Sequence, residues 1–122
     1  MAEENLFLRI NKAKDPNNLA DLEKKHLPII GCPDKVKKGE PFEVTIEVGK
    51  LLKHPNENTH YIEWIELFAD DNLFISKVEL IPVVGTPKVT LTVSLNESHT
   101  LKARARCNLH GIWEYSKKIR VE

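Results

Sequence analysis

From residue 40 onward, apolar and polar residues alternate with period two, the mark of strands with one face buried and the other wet. Phe42, Val44, Ile46 and Val48 fall on one side, and Glu43, Thr45 and Glu47 on the other. The same holds for Val89, Leu91, Val93 and Leu95 against Thr90, Thr92 and Ser94. It holds again for Leu101, Ala103, Ala105 and Cys107 against Lys102, Arg104 and Arg106. Further strands are expected at Leu27–Ile30, Tyr61–Ala69, Leu73–Ile81 and Trp113–Val121. Turn residues separate them at Lys38–Gly39–Glu40–Pro41, Asp70–Asp71–Asn72, Gly85–Thr86–Pro87 and Asn96–Glu97–Ser98. About seven short strands in roughly a hundred residues predict an all-β fold, an immunoglobulin-like antiparallel β-sandwich or barrel. The inter-sheet disulfide usual in such domains is not expected, because Cys32 and Cys107 do not have its spacing. A short N-terminal helical segment is predicted from Asn18 to about Lys25, with Asn18 as N-cap, Leu19 and Leu22 three apart, and Pro28 as the stop.

The 122 residues fit a single domain, 1–122, that is 41% hydrophobic and 30% charged. Eighteen basic residues balance eighteen acidic ones, which argues against nucleic acid as a partner. Attraction for a charged substrate must then come from local charges. Two cysteines are too few for a disulfide framework or an all-cysteine metal site. The apolar run Leu6–Phe7–Leu8 is too short for a secretory signal, and no run approaches the ~20 residues needed to cross a bilayer. A cytoplasmic protein without a membrane partner is expected.

The candidate chemistry lies in the loops. Of five histidines, His54 and His60 bracket a loop opened by Pro55 and Asn56, which can fold both rings toward one point. Cys107 and His110 bracket Cys107–Asn108–Leu109–His110–Gly111, where glycine permits an unusual backbone angle. Such a loop can bind one metal while its N–H groups stabilise the thiolate. Cys107 continues the inward series Leu101, Ala103, Ala105, so its sulfur should leave the core at one end of the sandwich. His26 sits at the end of the helical segment. Taken singly, each has a plain reading: solvated surface for the loop histidines, a small buried hydrophobe for the cysteine, a capping residue for His26. Together they form a constellation. His99, in the Glu97–Ser98–His99 turn, reads as plain surface with no partner nearby, and Cys32, between Gly31 and Pro33, as a structural thiol.

Five candidate ligands are one more than structural zinc uses. A blue-copper site normally adds an axial methionine, and the only methionine is Met1. Four imidazoles in a plane with a thiolate behind them suit iron in a square pyramid, with the sixth position open to a small molecule.

Three blocks, in order, now resemble a known family: Lys24–Lys25–His26–Leu27–Pro28, then His54–Pro55–Asn56 with His60 and Trp64, then Cys107–Asn108–Leu109–His110–Gly111–Ile112–Trp113. They resemble superoxide reductase in its one-iron form, also called neelaredoxin, over nearly the whole chain. The resemblance implies one iron per chain, with His26, His54, His60 and His110 equatorial and Cys107 axial. It implies reduction of superoxide to hydrogen peroxide, electrons from reduced rubredoxin or a similar donor, and a homotetramer. The two-iron members carry an extra cysteine-rich domain, for which this chain lacks the cysteines. Lys25, beside ligand His26, would draw the superoxide anion to the pocket mouth. The thiolate would push electron density onto the iron, as thiolates tune haem iron.

One departure stands out. The family pattern reads Glu-Lys-His, and its glutamate binds the ferric iron at rest. Here Lys24 precedes Lys25, and Glu23 lies one place further back. Glu23 is the nearby carboxylate that could serve as resting-state ligand, and it is expected to be dispensable for reduction itself. The competing readings are a cupredoxin-like copper electron-transfer protein and a zinc-stabilised or metal-free immunoglobulin-like binding module.

Overall fold

The computed structural model describes residues 5–122, so Met1 lies outside the described residues. After a 3₁₀ turn at Leu6–Leu8 come β1 (Ile10–Asn11), α1 (Asp21–His26), β2 (Pro28–Gly31), β3 (Lys35–Val36) and β4 (Phe42–Val48). The chain continues with β5 (Ile62–Ala69), β6 (Leu73–Glu79), β7 (Lys88–Val93), β8 (His99–Cys107) and β9 (Gly111–Val121). The strands form two sheets, one ordered β1-β9-β8-β5-β6 with β3 also on β9, the other β2-β4-β7.

The period-two reading holds. All the expected strands form, with their ends within two residues of the expected positions. Val44, Ile46, Leu67, Leu101 and Ala103 have no exposed surface and form the core between the sheets. Each buried Leu or Ile among them contributes about 1.5–3 kcal/mol relative to leaving it in water. The inward series ends on Cys107, which is likewise fully buried.

The sandwich is antiparallel as expected, apart from the two-residue strands β1 and β3, which both pair parallel with β9. Such short edge pieces carry no periodicity of their own. One expectation needs correction: the helix starts later than Asn18. Ala20 is its N-cap, and the Ala20 N–H donates to Glu23 Oε1 at 2.8 Å, the N3 half of a capping box. Asn18 instead lies in a turn, its N–H bonded to the Asp15 carbonyl at 3.0 Å. At the other end the Leu27 N–H donates to the Glu23 carbonyl at 2.9 Å, and Pro28 follows, as expected.

Candidate metal centre

Three separate pieces of chain converge at one end of the sandwich. His26 is the last residue of α1, and His54 and His60 flank the segment that leads into β5. Cys107 is the last residue of β8, and after three intervening residues β9 begins with Gly111 paired opposite Cys107. Such three-residue hairpins close with a left-handed residue, and Gly111 has φ +79°. A Cβ there would also lie 2.5 Å from the Leu6 carbonyl oxygen, so glycine is required twice over. Gly49 plays the same part for the other loop. Its φ is +86°, and a Cβ would meet the His54 backbone nitrogen at 2.7 Å.

The four imidazoles close a ring. Centroids are 4.8 Å apart for His26–His54, His54–His60 and His26–His110, and 5.1 Å for His60–His110. The donor atoms of His26, His60, Cys107 and His110 all lie within 4.8 Å of one another. His54 stands outside that tightest group and joins through its ring contacts. The Cys107 sulfur lies 3.6 Å from His110 Nδ1. His99, the fifth histidine, is elsewhere.

Backbone carbonyls choose which nitrogen of each ring faces inward. His26 Nδ1 bonds the Leu22 carbonyl at 2.8 Å and His54 Nδ1 bonds the Pro55 carbonyl at 2.6 Å. A carbonyl only accepts, so each Nδ1 carries the proton and each Nε2 keeps its lone pair. The Nε2 atoms of His26, His54 and His60 are buried and have no hydrogen-bond partner among the described residues. Buried polar atoms are rarely left so. Three orphaned imidazole nitrogens in a histidine ring that also holds a buried sulfur match a soft-to-borderline transition metal such as iron.

Electrostatics agree. Burial pushes the His26 and His54 pKa values down to about 4, opposed by their carbonyl bonds and helped by the neighbouring imidazoles. His110 is lowered by burial, with His60 and Lys25 adding to the effect. These rings are neutral near pH 7, as ligands must be. Burial raises the Cys107 thiol, while the N–H groups of Leu109 and His110 act against it. A bound cation would tip that balance to thiolate.

The remaining predicted residues divide. Lys25 is half-buried, its charge acts on both His54 and His110, and no carboxylate among the described residues pairs with it. Glu23 is buried, and both its oxygens are taken by the backbone: Oε1 by the Ala20 N–H and Oε2 by the Lys14 N–H at 2.9 Å. It holds the helix start against the N-terminal arm. His99 corrects the reading that left it without a partner, since its Nδ1 bonds Asp70 Oδ2 at 2.7 Å. Cys32 is half-buried, a free thiol whose pKa burial raises.

Two supporting residues escaped the sequence reading. Asn108 ties the two ligand loops together: its Oδ1 accepts from the Tyr61 N–H at 2.9 Å and its Nδ2 donates to the Thr59 carbonyl at 3.0 Å. Asn56 does the same toward the loop after β6, accepting from the Val83 N–H at 2.8 Å and donating to the Val83 and Gly85 carbonyls. An asparagine on a ligand loop is the only available signal for either, and it does not name the partner.

The fold and the site together define a β-sandwich with a His/Cys metal centre at one end. The chain belongs to the desulfoferrodoxin family, whose pattern matches residues 18–116. It is 43% identical over 120 residues to a Methanocaldococcus jannaschii protein whose assignment as a superoxide reductase is provisional, covering 95% of this chain and 97% of that one. It is 33% identical over 98 residues to a Thermococcus kodakarensis superoxide reductase, covering 74% and 83% of the two chains. The solved superoxide reductase (neelaredoxin) of Ignicoccus hospitalis superposes with a TM-score of 0.81 at 38% identity, over 93% of this chain and 95% of that one.

Proposed function

We propose that this chain is a superoxide reductase working as a single iron domain over residues 1–122. In this reading one mononuclear non-haem iron is held by His26, His54, His60, His110 and Cys107. The observation that carries it is the set of buried Nε2 atoms of His26, His54 and His60, without a hydrogen-bond partner among the described residues, on rings that cluster with His110 and the buried Cys107. When bound, the iron supplies one electron to superoxide, which takes up two protons and leaves as hydrogen peroxide. The external donor returns that electron, and reduced rubredoxin or a similar small protein fits the role. A homotetramer and a cytoplasmic setting belong to the same reading. Among the described residues, no helix is long and apolar enough to cross a membrane.

The chain's own residues do the rest. The Leu22 and Pro55 carbonyls keep His26 and His54 in the tautomer that presents Nε2. The Leu109 and His110 N–H groups favour thiolate at Cys107. His60 and His110 are only half-buried, so the ring of imidazoles is reached from their side. Lys25 adds a positive charge there for a small anion. Glu23, with both oxygens on backbone N–H groups, is a structural cap.

Elemental analysis with the visible spectrum of the oxidised protein tests this. Iron near one per chain and a thiolate-to-iron charge-transfer band are expected. A colourless, zinc-only protein would refute the reading, and a copper–thiolate spectrum would replace it with electron transfer.

A further inference from the structure

We propose that Trp113 is a positioning residue for the metal centre, aiming two of its four imidazoles, one through its ring and one through its N–H. The inference rests on the ligand set proposed above. Trp113 is 3% exposed and sits on β9, two residues after the ligand hairpin closes. Its indole stacks on the His26 ring, with centroids 5.1 Å apart and planes 22° from parallel. His26 Nδ1 is already fixed on the Leu22 carbonyl. That bond leaves the imidazole free to swing about the line through Nδ1, and a flat indole against its face stops the swing. The Nε2 lone pair is thereby held in one direction.

The edge of the same indole acts on His110. Trp113 Nε1–H donates to the His110 carbonyl at 3.0 Å. Unlike His26 and His54, His110 has no carbonyl on its ring nitrogens among the described residues. Its Nδ1 faces the Cys107 sulfur instead. His110 is therefore aimed through its backbone, and the indole N–H fixes that backbone. Because the Cys107–His110 turn also carries the sulfur, one hydrogen bond sets two donors. Outer partners of this kind typically change metal affinity by ~10–100-fold when removed.

The test uses cobalt(II) added to the metal-free full chain, with affinity from chelator competition and geometry from the visible spectrum. Trp113→Phe keeps a ring against His26 and removes the N–H. Trp113→Leu removes both. Trp113→Phe should bind cobalt ~10–100-fold more weakly, with a shifted thiolate-to-cobalt band, and Trp113→Leu more weakly still. Affinity within twofold of wild type and an unshifted band in Trp113→Phe would overturn the proposal. If either variant fails to fold, the benzothiophene analogue of tryptophan in a Trp64→Phe chain keeps ring and volume and lacks only the N–H. The same weakening and band shift support the proposal there, and their absence overturns it. Wild-type protein lacking a thiolate band that Cys107→Ser abolishes would instead sink the ligand set, which separates the two failures.

Discussion

Strand β8 carries a histidine at one end and a cysteine beside a histidine ring at the other, about 26 Å apart at 3.3 Å per residue. At the first end, both nitrogens of His99 have acidic neighbours: Nδ1 bonds Asp70 at 2.7 Å and Nε2 lies 3.7 Å from Glu97. At the second, His26 and His54 each place one nitrogen on a carbonyl and leave the other buried without a partner. A surface hollow of about 550 Å³ opens at the His99 end, beside Asp70 and Arg120. Space is therefore a poor guide to chemistry here. What separates a structural histidine from a ligand is whether its second nitrogen already has a partner.

The largest effect that would break this contrast is loss of the sulfur. Cys107→Ser should remove the thiolate charge-transfer band and superoxide reduction and weaken metal binding by at least ~100-fold, more than an outer-shell change costs. Cys32→Ser should change neither. A Cys107→Ser protein with wild-type activity would make the ligand end no more special than the other.

Proton linkage sharpens the contrast next. In the metal-free chain, His26 and His54 resist protonation until about pH 4, whereas an unfolded imidazole takes a proton near 6.5. Between those values the unfolded state binds more protons, so stability is complete above pH 6.5 and falls as pH drops toward 4. The loss should be on the order of a few kcal/mol. Chemical denaturation of metal-free protein across that window checks it, and a flat profile would mean the rings are not held neutral.

The glycines come third. Gly111→Ala forces a side chain into φ +79° and against the Leu6 carbonyl. It should cost about 2 kcal/mol or more. Gly31→Ala, whose nearest neighbour would be 3.9 Å away, should cost well under half of that in the same melts. Lys25→Ala should then slow the second-order reaction with superoxide several-fold and flatten its ionic-strength dependence, since exposed charges are screened over ~10 Å at 0.1 M salt. Lys24→Ala should do less. Equal salt slopes in stopped-flow or pulse measurements would remove Lys25 from the mechanism.

How much of this the chain discloses depends on the range of the interaction. The strand phase of Leu101, Ala103, Ala105 and Cys107 was legible because burial follows period two. Gly111 was legible because a tight hairpin needs φ > 0. The Asp70 partner of His99 was not, because a strand pairing joins positions 29 apart and no local pattern encodes that distance. The Asn108 clamp and the Trp113 stack were hidden for the same reason. The helix start was misread because two caps compete: Asn18 is a good N-cap by type, but Glu23 reaches back to Ala20 from inside the helix.

The smallest effect tests the quiet end. The His99 hydrogen bond, with the Thr100 N–H and Lys102 behind it, holds the Asp70 carboxyl below its ordinary value of 3.8. A depressed carboxylate adds stability above that value, and the contribution disappears as pH falls through the folded-state pKa. Asp70→Asn isolates the charge. Asparagine tolerates the φ of +54° found there, and its carbonyl can still accept from the Thr100 N–H. The variant should be slightly less stable than wild type at pH 6, and the gap should close in acid. Metal affinity and the charge-transfer band should not move, because the change sits at the far end of β8 from Cys107. A variant that alters the band would show that the two ends communicate, and the division of labour along this strand would fail.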